Sequence, residues 1–100
     1  MSLAASRQNG QVSVGSSSTA LVPENRNRLG LIVSVNSGGT NQNCWLAFQV
    51  GNAVPAAVVN SGVRVAAGNA LTLIGDDVFR GGINIIGAAA GPTTISITEF

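Results

Sequence analysis

A chain of 100 residues makes one domain, and this one carries five basic and four acidic side chains for a net charge of +1. Only 9% of its residues are charged, against about 25% in an ordinary soluble domain. All five cations are arginines (Arg7, Arg26, Arg28, Arg64, Arg80), too few and too dispersed to attract nucleic acid through their field.

Turn chemistry punctuates the chain at SRQNGQ, GSSS, PENRN, NSGGTNQN, GNAVP, NSG, AGN, GDD, RGG and AAAGP. Glycine, asparagine, serine and proline supply the positive or preset φ that such points need. Short β-rich runs lie between them. Gln11–Val14 alternates, with Val12 and Val14 opposite Gln11 and Ser13. Thr19–Val22 reads as an edge strand. Leu29–Val35 is the clearest element. Its period of two sets Leu29, Leu31, Val33 and Val35 on a core face, with Arg28 outward at its start.

Cys44–Val50 follows, with Cys44, Leu46, Phe48 and Val50 on one face and Trp45, Ala47 and Gln49 on the other. The spacing predicts a hairpin between these two runs across NSGGTNQN. Ala56–Val59 is ambiguous. Val63–Ala66 reads as an edge strand, while Leu71–Ile74 and Ile83–Ile86 are short and more continuously apolar. Thr94–Thr98 alternates cleanly, with Ile95 and Ile97 inward. No window has helical period. About eight short strands with turns at this spacing predict an all-β fold, an antiparallel β-sandwich or barrel. Few aromatics leave the core to Val, Ile, Leu and Ala.

The sequence offers little for catalysis. It has no histidine and no lysine, which removes imidazole bases, Ser-His and Cys-His nucleophiles, Schiff bases and the phosphate-loop lysine. One cysteine, Cys44, makes neither an internal disulfide nor a zinc site. Asp76 and Asp77 read as a solvated turn. Glu24 and Glu99 could serve as an acid and a base only if the fold joined them, and nothing in the sequence does so. NSGGT and RGGIN lack the lysine and helix of a phosphate cradle. The expectation is no enzyme, no cofactor and no metal site.

Trp45 has two readings. On an open face it would be a contact residue for sugar or protein; on a covered face it is core. Low charge and abundant Ala, Val, Ser, Thr and Asn favour association, so a homo-oligomer is expected. No run approaches a membrane span and the N-terminus has no signal-peptide pattern, so neither membrane nor secretion is expected.

The run VSVGSSSTALVPENRNRLGLIVSVNSG, then CWLAF, then a terminal TISIT strand, resembles small virion proteins of tailed bacteriophages. The likeness is to capsid decoration, or cement, proteins. It covers residues 11–99 and lies in strand-and-turn grammar. It implies a jelly-roll-like sandwich over residues 11–100, with residues 1–10 as an arm. It also implies a trimer that binds the major capsid protein on the capsid exterior after synthesis in the host cytoplasm. Arg7, Arg26, Arg28 and Trp45 are the candidate partner-contact residues, since arginine makes bidentate contacts with carboxylates. The alternative is a receptor- or carbohydrate-binding module of a tail or head fibre, with Trp45 and the loop 36–43 as its site.

Overall fold

The computed structural model describes residues 8–36, 43–75, 78–88 and 93–100. Among them the chain forms eight strands: β1 (Gln8–Val14), β2 (Thr19–Val22), β3 (Gly30–Val35), β4 (Cys44–Phe48), β5 (Val63–Val65), β6 (Ala70–Ile74), β7 (Ile83–Gly87) and β8 (Thr93–Glu99). The pairing rule is simple. β1 pairs with β8, β2 with β7, β3 with β6 and β4 with β5, all antiparallel. A chain that pairs its first strand with its last, and so on inward, is one long hairpin. That hairpin is folded over, because β8 also pairs with β3 and β7 with β4. The result is two four-stranded sheets, β1-β8-β3-β6 and β2-β7-β4-β5. This is the all-β, jelly-roll-like sandwich that the strand spacing and the resemblance predict.

Alternation fills the space between the sheets. Leu31, Val33, Val35, Ile95 and Ile97 come from the first sheet, and Val22, Cys44, Leu46, Ile83 and Ile85 from the second. Burying each such side chain contributes about 1.5–3 kcal/mol, which lets small aliphatic residues hold a domain with few aromatics.

The predicted hairpin between the third and fourth strands does not form. β3 and β4 lie in different sheets. In a folded-over hairpin sequence neighbours mostly change sheet, and β4–β5 is the one sequential pair in a common sheet. Two core assignments also shift. Leu29 is 48% exposed and Val50 is 75% exposed. Val50 lies beyond β4, in a tight turn where Val50 and Ala53 exchange backbone hydrogen bonds around Gly51, whose φ is +61°. Ala56–Val59 is not a strand. β1 reaches back to Gln8, three residues into the stretch read as an arm.

The connection between β4 and β5 folds across the outer face of the second sheet. The Ala57 amide donates to Ser18 Oγ at 2.8 Å, and Asn84 Nδ2 donates to the Pro55 carbonyl at 2.9 Å. Its Ala57 packs on Trp45 and Ile86 of the sheet beneath, forming a second, smaller apolar cluster.

Candidate functional site

Five chain segments meet at one end of the sandwich: the β2–β3 connection, the start of the β4–β5 connection, the β6–β7 connection, and the ends of β6 and β8. The stretch ENRNR enters there. Asn25 makes a turn through its side chain, accepting from the Asn27 amide at 3.0 Å, and its carbonyl accepts from the Arg28 amide at 3.1 Å. The Leu29 and Gly30 amides then both donate to the Phe100 carbonyl, at 2.6 and 2.9 Å. Two amides on one acceptor slip the strand phase by one residue, as in a β-bulge. Arg28 turns inward and Leu29 turns out.

This overturns the outward placement of Arg28. Its side chain is 0% exposed. Nε donates to Glu99 Oε2 at 2.7 Å, Nη1 to the carbonyls of Phe79 and Gly81 at 2.6 and 3.1 Å, and Nη2 to the Pro23 carbonyl at 2.8 Å. The rigid five-donor fork of arginine matches a cage of one carboxylate and three carbonyls. Burying a charge costs several kcal/mol unless paired and hydrogen-bonded, and here both conditions are met. Arg28 therefore fastens the β2–β3 and β6–β7 connections to β8, and its side chain is fully spent inside the fold.

Trp45 is 7% exposed and packed under Ala57. Of its two readings the core one holds, but the cover is the chain's own β4–β5 connection. The face opposite Leu46 stays outside the sandwich, and it is apolar because a loop lies on it. Trp45 is thus no contact residue. Arg26 is exposed, its Nε donating to Glu24 Oε2 at 3.1 Å. Arg7, Asp76, Asp77 and most of the loop 36–43 lie outside the described residues. Glu24 and Glu99 do not form a catalytic pair: Glu99 is buried against Arg28, whereas Glu24 is exposed and bonded to Arg26 and Gln49.

Above the Arg28 cage lies a shallow open depression of about 300 Å³. Its wall includes Glu24, Arg26, Gln49, Phe79 and Arg80, with Gly51 and Gly81 between them. Gln49 organises it. Nε2 donates to Glu24 Oε1 at 2.7 Å and to the Gly51 carbonyl at 2.9 Å, while Oε1 accepts from the Gly82 amide at 2.7 Å. The Gln49 hydrogen bond, and then Arg26, hold the Glu24 carboxyl below its ordinary 4.5. Phe79 is steadied edge-to-face on Phe48, with ring centroids 4.9 Å apart. Arg80 Nε donates to the Arg28 carbonyl at 3.0 Å. A Cβ at Gly81 would stand 2.8 Å from the Phe79 ring and 2.9 Å from Gln49 Cβ. Glycine is what lets ring and amide close on the backbone there.

Sequence reasoning singles out Arg26 here and passes over Gln49, Phe79 and Arg80. The signal that could have found them is weak: three polar turns, PENRN, GNAVP and RGG, two of them glycine-bearing, at what proves to be the same end of the sandwich. Among the described residues no three Cys, Asp or Glu side chains gather as metal ligands. No family model, no curated protein and no solved structure matches the chain.

Proposed function

We propose that this chain is a structural protein of a tailed-phage particle. It binds the outside of the capsid as an oligomer, taken to be a trimer, and ties major-capsid subunits together. The observation that carries the reading is the distribution of exposed apolar side chains. Val50, Val58, Val59 and Val63 are all exposed, on the β4–β5 connection and the edge strand β5. On a chain with a net charge of +1, such a surface favours association over solvation. Linked copies would bind a lattice with avidity and need no reactive group. The jelly-roll order and the resemblance in strand-and-turn grammar support the same reading.

Light scattering after size exclusion, with co-sedimentation on undecorated heads, tests it. The expected result is an oligomer that pellets with heads, with Val58→Ser/Val63→Ser weakening either step. A monomer at high concentration that stays in the supernatant at every salt concentration would overturn the reading for that capsid. The fibre-module alternative sets its site at Trp45 and the loop 36–43; Trp45 is buried, and most of that loop lies outside the described residues, so the exposed valines favour the assembly reading.

A further inference from the structure

The depression at the loop end is preorganised, and its unused side-chain donors among the described residues are all guanidinium N–H groups. Both Glu24 carboxylate oxygens already accept, one from Gln49 and one from Arg26. Both N–H groups of the Gln49 amide are engaged by two acceptors, and its oxygen holds Gly82. Arg26 and Arg80, in contrast, each spend only Nε, on Glu24 and on the Arg28 carbonyl. Among the described residues their Nη groups have no acceptor. Among the described residues of the wall, two arginines against one glutamate leave one positive charge in excess. Arg80 is exposed, yet one edge of its guanidinium is tied down, which lowers the entropy lost when the other edge binds.

We infer that this depression takes the carboxylate of an aspartate or glutamate side chain of a partner protein, with Arg80 and Arg26 as the donors. The Phe79 ring on the same wall suits the methylene stem of such a side chain, which a bare inorganic anion lacks. Planar, bidentate recognition of a carboxylate is what a guanidinium edge does best. The inference rests on the assembly reading only in taking the partner to be a protein. Its test uses the isolated chain, so either can fail without the other.

The test is a chemical-shift titration of the ¹⁵N-labelled full chain with N-acetylglutamate and N-acetylglutamine, both as the α-amide so that the side-chain carboxylate is the only difference, and with inorganic phosphate at matched ionic strength. N-acetylglutamate should shift the Gly51 and Gly81 amides and the Arg80 Nε–H, saturating on the order of tens to hundreds of millimolar, as expected for two exposed charged contacts. Arg80→Gln should weaken it about three- to fivefold, and Arg80→Lys about twofold, because the charge remains and the fork is lost. Arg26→Gln, at a side chain 89% exposed, removes a donor without touching the packed interior and should weaken binding about twofold. Equal shifts with N-acetylglutamine, tighter binding of phosphate than of N-acetylglutamate, or no change in either arginine variant would each overturn the inference.

Discussion

Replacing Glu99 by glutamine removes one negative charge from beside Arg28 and keeps the shape of the side chain. The guanidinium would stay in its carbonyl cage without a counter-charge. The Arg28 side chain is 0% exposed and the Glu99 side chain 5% exposed, with Nε and Oε2 2.7 Å apart. Breaking a buried pair on one side costs about 3–5 kcal/mol, because a desolvated charge is left uncompensated. A domain of this size is stable by about 5–15 kcal/mol in total, so Glu99→Gln should lose a large share of it. Arg28→Met should cost at least as much. It takes the counter-charge from the Glu99 carboxylate and donors from the carbonyls of Pro23, Phe79 and Gly81. Those carbonyls are partly buried, so each adds toward the low end of the roughly 1–3 kcal/mol for an unsatisfied group.

Urea unfolding followed by far-ultraviolet dichroism reads the loss as a lower midpoint at unchanged slope. In heat, each kcal/mol moves Tm by about 4–8 °C for a domain this small. The double variant Arg28→Met/Glu99→Met buries no charge and should recover part of the loss, since a hydrophobic replacement of a whole pair is often neutral. The Glu99→Gln loss should change little between about 0.05 and 1 M salt, because buried charges are poorly screened. A loss for Glu99→Gln below about 1 kcal/mol, the range of exposed pairs, would refute the claim that this pair is desolvated and joins the loops to β8.

Cys44 is buried and burial pushes its thiol above the ordinary 9.0, so thiol reagents should label it only as the domain unfolds; prompt labelling of native protein would contradict its place in the core. Trp45 should emit at shorter wavelength in the native state than in urea and resist quenching by iodide, and Trp45→Ala should cost about 3–5 kcal/mol; native emission like that of free tryptophan would mean the β4–β5 connection does not cover it. Glu24 should titrate below 4.5, and Gln49→Ala should move its midpoint back upward. Because folding lowers this pKa, the associated stabilisation is present above about 4.5 and fades as pH falls through the folded value. A carboxyl-carbon titration with a midpoint at or above 4.5 would show that the Gln49 contact is not made.

The strands were legible because each is a local pattern of period two. β8 shows why: Ile95 and Ile97 between Thr94, Ser96 and Thr98 admit one inward face whatever the neighbours are. Pairing was less legible. Consecutive strands pair more often than not, and that tendency predicts a β3–β4 hairpin. A jelly roll breaks it, since β3 has β6 and β8 as neighbours and β4 has β5 and β7. Nothing local distinguishes a long hairpin loop from a connection that crosses between sheets. Trp45 was ambiguous for a related reason. Its strand is apolar on both faces, and the cover over its outer face comes from Ala57, in a segment with no periodicity to read.

The candidate site was hidden by a displacement of one residue. Extending the alternation of Leu31, Val33 and Val35 backward puts Leu29 in the core and Arg28 in water. The doubled hydrogen bond to the Phe100 carbonyl reverses both. Once Arg28 is inside, much of the remaining geometry follows from its five donors. They need acceptors, and the acceptors lie on Pro23, Phe79, Gly81 and Glu99, so the β2–β3 and β6–β7 connections and β8 must converge there. Convergence sets Phe79 and Arg80 beside Gln49 and Glu24, which no linear spacing would have joined. The exposed guanidinium of Arg80 then sits on the backbone of the buried one, bonded to the Arg28 carbonyl. The charge given up to the interior at Arg28 is thus the reason a neighbouring charge is held in one orientation at the surface. A depression that can orient a carboxylate depends on the arginine that never meets one from outside.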